Sequence, residues 1–252
     1  MNNLLASFLC AAMLLLAACG QAPDGTTARI AVATNFKPAM AALESRFEAE
    51  TGYDIETVTG STGALYAQIT QGAPFDVFLA ADQERPQKLE ESGHAVQGTR
   101  FTYAVGQLVL WSAASGQVGL ESLREPQLLR LAIANPELAP YGRAAQGVIE
   151  ELGLQKKLQH KLVLGENIGQ TFAFIKTGNA ELGFVALSQV LSLPEAERGT
   201  SFPLESSLYQ PIRQDAQLLK RGSDNMVALA FIDFLRSQGA ADIIASAGYI
   251  SP

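Results

Sequence analysis

The sequence predicts an α/β protein with largely parallel sheets, and three observations lead there. Short apolar runs of strand character alternate along the chain with segments of helical spacing. A composition of 48% hydrophobic and 17% charged residues supplies a sizeable core and excludes general disorder. A length of 252 residues accommodates one large α/β domain or two smaller ones.

Arg29 to Ala33 is the first strand-like run. Pro38 then stands where a first helical residue belongs, and Met40, Leu43 and Phe47 recur at helical spacing until Gly52 stops the pattern. Asp54 to Thr59 is β-branched and leads through Gly60-Ser-Thr-Gly63 into a helix over Ala64 to Gln71. Leu131 to Ala134 leads through Pro140-Tyr-Gly142 into a helix over Arg143 to Leu152. Lys161 to Leu164 leads through Gly165-Glu-Asn-Ile-Gly169 into a helix over Gln170 to Lys176. Asp76 to Ala80, Gln107 to Trp111 and Leu182 to Ala186 read as further strands. Gln83 to Ser92, Asn225 to Arg236 and Ala240 to Ser246 read as helices.

Residues 1–18 contain no charged side chain, and Leu4 to Ala18 is apolar but for Ser7. The run is short for a membrane span, which needs about 20 residues, and has the length of a secretory core. It ends Leu16-Ala-Ala-Cys19-Gly20, which resembles the lipidation signal of bacterial lipoproteins. An ordinary signal peptide with an incidental Cys is the alternative. Lipidation at Cys19 and loss of Cys10 with the leader leave no disulfide. Residues 19–27 form a polar tether to the globule.

Eighteen Lys and Arg against 25 Asp and Glu give a net charge of −7, which disfavours nucleic acid as a partner. Two His and two Cys leave little material for a multi-ligand metal site, and no cofactor is implied. Each of the four strand-to-helix loops places Thr, Ser, Asn, Tyr or Gly at a helix start, where free N–H groups and the dipole favour an anion. Ordinary N-capping explains each loop equally well. None carries a nucleotide-binding glycine signature.

Val32-Ala-Thr-Asn-Phe36, Gly60-Ser-Thr-Gly63 and Gly72-Ala-Pro-Phe-Asp-Val-Phe-Leu-Ala-Ala-Asp-Gln83 carry a family resemblance. Asn135-Pro136, Ala139-Pro-Tyr-Gly142, Glu166-Asn-Ile-Gly-Gln170 and Ala247-Gly-Tyr249 extend it over most of the chain. The sequence resembles the periplasmic molybdate-binding proteins that deliver oxyanion to ABC importers. The resemblance implies a type II periplasmic binding-protein fold of two lobes with the ligand between them. Lobe one would comprise residues 28–106 and 209–252, lobe two residues 107–208, with hinges near Gly106 and Tyr209. It implies binding of molybdate or tungstate without catalysis, partnership with a permease and its ATPase, a monomer, and a lipid-anchored, periplasmic location.

Carried over by position, the ligand residues would be Thr34, Asn35, Ser61, Thr62, and the backbone at Tyr141 and Ile168. Ala186 stands where one family variant has a Tyr, so the sequence follows the other variant, with Thr-Asn and Tyr141. A neutral site is physically adequate, since roughly half a dozen N–H and O–H donors with helix N-termini can hold a dianion. Lys37 and Arg143 are expected as solvated surface charge, Glu166 as facing outward, and Trp111 as core. His94 and His160 are expected at the surface, and Asp76 and Asp82 as turn and cap residues. The alternatives are a receptor for sulfate, phosphate or another small anion, and an exported hydrolase using Ser61 or Ser188. The hydrolase lacks the G-x-S-x-G turn around either Ser.

Overall fold

The computed structural model of the protein describes residues 27–252. The expected leader, Cys19 and all of the expected tether except Thr27 lie outside the described residues. Thr27 itself opens the first strand.

The chain begins β1 (Thr27–Ala33), α1 (Lys37–Thr51), β2 (Asp54–Gly60), α2 (Thr62–Thr70), β3 (Val77–Leu79), α3 (Glu84–Glu91) and β4 (Phe101–Gly106). It continues with β5 (Leu108–Ser112), β6 (Leu131–Ala134), α4 (Pro140–Glu151), α5 (Gln155–Leu158), β7 (Leu162–Gly165), α6 (Ile168–Lys176), β8 (Leu182–Ala186), α7 (Leu187–Leu191) and β9 (Thr200–Pro203). It ends with β10 (Ile212–Leu218), α8 (Met226–Leu235) and α9 (Gln238–Ser246).

These strands form two five-stranded sheets, ordered β2-β1-β3-β10-β4 and β7-β6-β8-β5-β9. Within each, the first three strands are parallel and the remaining pairings antiparallel. The parallel trios are joined by helical crossovers, as parallel pairing requires. The antiparallel strands β4, β5, β9 and β10 are those on which the chain passes between the sheets. Gln107 alone separates β4 from β5, and residues 204–211 separate β9 from β10.

The inner strands β1, β3, β6 and β8 are covered on both faces, which is why they read as nearly continuous apolar runs. In β1, Ala28, Ile30 and Val32 face a core completed by Met40, Leu43 and Phe47 of α1, while Ala31 faces the opposite layer with Leu65 and Phe78. In β5, Leu108 and Leu110 face one layer and Val109 and Trp111 the other. Each sheet has apolar clusters on its two faces, in which a fully buried Leu or Phe contributes about 1.5–3 kcal/mol, and Ala33, Ala81 and Ile212 of the first sheet's side join the cluster around Tyr141. Helix α1 ends where Gly52 takes φ 72°, a left-handed conformation that only glycine adopts readily.

Strands β4, β9 and β10 have no counterpart in the pattern-based reading. β10 is the instructive case. Its sequence, Ile-Arg-Gln-Asp-Ala-Gln-Leu, looks like surface, yet Gln214, Asp215 and Gln217 are buried.

Candidate functional site

Three helices start at the cleft between the sheets, and each starts earlier than its periodicity suggests. Ser61 caps α2, its Oγ accepting the Ala64 N–H at 3.3 Å, so the helix begins at Thr62 rather than Ala64. Pro140 occupies the first turn of α4, where its fixed φ suits a helix, and this draws Tyr141 and Gly142 into that turn. Asn167 caps α6, its Oδ1 accepting from Gly169 at 2.9 Å and Gln170 at 3.0 Å, so the helix begins at Ile168. First-turn amides have no acceptor inside their own helix. The caps of α2 and α6 serve the neighbouring amides and leave out those of Thr62 and Ile168, while α4 has no side-chain cap and its Tyr141 amide has no acceptor within the helix. The fourth loop, Thr34 to Phe36, forms a short 3-10 turn ahead of α1.

The structure brings Thr34, Asn35, Ser61, Thr62, Tyr141 and Ile168 together around one small cavity. Its wall is shared between the lobes, and about 10 Å³ of it is open to the centre of a water molecule. Organic ligands occupy pockets of roughly 300–1,000 Å³, so this space suits a small inorganic species. Among the described residues, no charged side chain lines the cavity.

The hydroxyls of Ser61 and Thr62 are set as donors. Thr62 Oγ1 accepts the Ala81 N–H at 3.0 Å and Ser61 Oγ accepts the Ala64 N–H, which leaves each hydroxyl proton for another acceptor. Thr34 and Asn35 differ. Thr34 donates its hydroxyl proton to Gly60 O at 2.9 Å. Asn35 is 1% exposed, and its side-chain amide donates to Gln214 Oε1 at 2.9 Å and to the Tyr249 hydroxyl at 3.0 Å. These two residues shape the wall while their side-chain hydrogens are committed elsewhere.

Behind the wall lies a buried polar network that sequence patterning missed. The Tyr249 hydroxyl donates to Asn35 O at 2.8 Å, and Ser188 Oγ reaches the same carbonyl at 3.0 Å from the other lobe. The Tyr103 hydroxyl donates to Gln214 Oε1 at 3.2 Å, and Gln214 Nε2 donates to the Tyr141 hydroxyl at 3.3 Å. Burial pushes the hydroxyls of Tyr103, Tyr141 and Tyr249 above the ordinary tyrosine range, so all three stay protonated at neutral pH. The only recognisable signal for this network was the Gly-Tyr pair at 248–249. Neither Ser61 nor Ser188 hydrogen-bonds a histidine; their partners are backbone atoms and Tyr249.

The lobes also touch at the rim of the cleft. The Gly63 N–H donates to Leu138 O at 2.8 Å, and Arg85 Nη2 to Glu137 O at 2.8 Å. Arg143, expected as solvated charge, is half-exposed but paired across the cleft with Asp82 at 2.8 Å and Glu84 at 2.9 Å. Asp82 caps α3 through the Arg85 N–H, as expected of a cap residue, and also holds both guanidinium groups. Asp76 accepts the Arg29 N–H at 2.8 Å and pairs with Arg221, far from the cavity in the network. Lys37 and Glu166 are exposed, as is His160, and His94 is half-buried. Trp111 is fully buried and stacks on Phe172 at 4.5 Å.

Two lobes with a small cavity of polar, uncharged lining between them have the architecture of a solute-binding protein. Residues 28–250 match the family model described as bacterial extracellular solute-binding protein, and the chain belongs to that family. It is 48% identical to the molybdate-binding protein ModA of Azotobacter vinelandii over 93% of each chain. It is 46% identical to ModA of Rhodobacter capsulatus over 88% of this chain and 87% of the relative. The structure of the periplasmic molybdate-binding protein from Azotobacter vinelandii superposes with a TM-score of 0.85 at 38% identity, covering 89% of this chain and 99% of that one. No helix among the described residues is long and apolar enough to cross a membrane.

Proposed function

We propose that the protein captures molybdate, and tungstate with it, outside the cytoplasmic membrane and delivers it to the permease and ATPase of an ABC importer. The observation that carries this reading is the lining of the cavity: it holds the first-turn residues Thr62, Tyr141 and Ile168 of three helices and the capping Ser61, which supports a site for one small anion. The two ModA relatives, whose names state molybdate binding, support the choice of anion. The donors in this reading are the Ser61 and Thr62 hydroxyls and the amides of Thr62, Tyr141 and Ile168, with Thr34 and Asn35 completing the wall.

Selectivity then rests on size. Sulfate, molybdate and tungstate are all tetrahedral dianions, but the metal–oxygen bonds are longer, so the larger anions reach donors on both lobes at once. Sulfate leaves some donors unpaired, at about 1–3 kcal/mol for each. No carboxylate lines the cavity among the described residues, so the proton of hydrogen phosphate has no carboxylate to receive it.

Closing and opening would hinge at the two crossings near Gly106 and Tyr209, with residues 28–106 and 209–252 moving against residues 107–208. The Leu16-Ala-Ala-Cys19 run supports removal of residues 1–18, lipid attachment at Cys19 and a tether to the membrane. The protein works as a monomer in this scheme. Thermal denaturation with a panel of oxyanions tests the reading. Molybdate and tungstate at 100 times their dissociation constants should each add about 2.7 kcal/mol to stability. Sulfate and phosphate at the same concentration should add much less. No shift with millimolar molybdate overturns it.

A further inference from the structure

Gln214 is not part of the cavity wall, yet its amide is bonded to a wall residue from each lobe. Its Oε1 accepts from Asn35 Nδ2 at 2.9 Å, and its Nε2 donates to the Tyr141 hydroxyl at 3.3 Å. Asn35 belongs to the loop ahead of α1 and Tyr141 to the first turn of α4, so one side chain spans the two sides of the site. The second hydrogen on Asn35 Nδ2 goes to Tyr249, and the Tyr103 hydroxyl also binds Gln214 Oε1, so neither amide is free to turn.

Two backbone features serve this contact. The pairing of β10 with β4 shifts register between Gln214 and Asp215, an irregularity of the kind that re-aims a side chain. Gly106 lies where a Cβ would overlap the Tyr141 hydroxyl and crowd Gln214 Nε2, so only glycine lets these groups meet. A fully buried position in a sheet core is ordinarily apolar, and a glutamine whose amide meets a wall residue of each lobe calls for a reason.

We propose that Gln214 is a positioning residue for anion selectivity. It fixes the separation of the Asn35 and Tyr141 walls, and with it the size of tetrahedral anion that can meet donors on both lobes. The proposal rests on the oxyanion reading above. Without the link, the walls can settle around a smaller anion, and the penalty on sulfate falls.

Gln214→Met removes both links at nearly constant volume. In competition calorimetry on the purified protein with sodium molybdate and sodium sulfate, the preference for molybdate over sulfate should shrink by roughly tenfold or more, the scale of one donor regained by the smaller anion. Tyr141→Phe breaks the same link from the other lobe and keeps the first-turn amide, so the same shift is expected there even if Gln214→Met does not fold. Gln217→Met is the matched control. It lies on the same strand and is equally buried, but its amide serves Val96 O and Thr99 Oγ1 within its own lobe. It should lower the melting temperature and leave the preference unchanged. An unaltered preference in the folded link-breaking variants overturns the proposal, and so does an equal change in the control. Absence of molybdate binding by the unmodified protein would instead remove the oxyanion reading itself.

Discussion

Inside the cleft the walls carry hydroxyls, amides and helix first turns, whereas two residues further along α4 the rim holds Arg143 paired with Asp82 and Glu84. The two regions handle charge differently because water treats them differently. A guanidinium sealed in the cavity would attract a dianion strongly, but its own desolvation is expensive and the complex slow to open. Donor dipoles hold the anion without that penalty. At the rim, water screens the ion pairs to about 0–1 kcal/mol, small enough for a closure that must reverse. In the proposed reading, neutral donors select and charged pairs help to shut.

The sharpest way to break this comparison is to charge the cavity. Aspartate caps a helix as well as serine does, so Ser61→Asp should keep α2 and the fold. Its carboxylate would face the dianion at contact distance, costing on the order of 4 kcal/mol per charge pair at an effective dielectric near 20. Molybdate binding should fall on the order of a thousandfold or more by calorimetry. Retention within tenfold would mean that the cavity tolerates charge and the contrast with the rim is false.

Gly169→Ala separates closure from contact. Alanine is preferred to glycine in a helix by up to about 1 kcal/mol, so lobe two should be no less stable. A Cβ at Gly169 would overlap the Thr34 methyl on the opposite wall and sit 3.0 Å from the capping Asn167 Oδ1 of its own lobe, a slight crowding set against that helix gain, so most of the strain appears when the lobes meet. Overpacking of about 1–3 kcal/mol predicts a loss of affinity of roughly 5- to 150-fold, with the ligand-free melting temperature unchanged or raised. Equal affinity to the unmodified protein would show that tight closure at this point is not needed for binding.

The parallel trios were legible because their strands are short apolar or, in β2, β-branched runs punctuated by glycine or proline, such as Arg29 to Ala33 before Pro38. The residues carried over from the family resemblance all line the cavity. What those side chains do there was not legible. Asn35 turns its amide to Gln214, 179 residues away, and Arg143 meets Asp82 from 61 residues away. Strand β10 was hidden for the same reason, since Gln214, Asp215 and Gln217 are polar by pattern and buried where distant partners bond them, although Gln217 Oε1 is left without one. Local periodicity reports which face of an element is apolar. It carries nothing about partners that the fold supplies from elsewhere.

The smallest effect is expected at the rim. Arg143→Met removes the cross-cleft cation but leaves Asp82 paired with Arg85, so lobe one should fold normally. The Arg143–Glu84 pair is exposed and worth about 0–1 kcal/mol, and buried Asp82 keeps Arg85 as its partner, so molybdate affinity should weaken by at most about fivefold at low salt. The difference from the unmodified protein should vanish near 1 M sodium chloride, where the screening length is about 3 Å. Acidity offers a second check. The hydrogen bonds from Lys88 and then Arg143 hold the Glu84 carboxyl at about 2, below its ordinary 4.5. A lowered value means that the ionised form is favoured in the closed structure, so its contribution is complete above about pH 4.5 and fades as pH falls toward 2. The gap between variant and unmodified protein, compared at each pH, should therefore be flat from pH 8 to about pH 5 and narrow only below that. A hundredfold loss that salt does not touch would mean that the Arg143 guanidinium reaches the anion, and the cavity would then not be neutral.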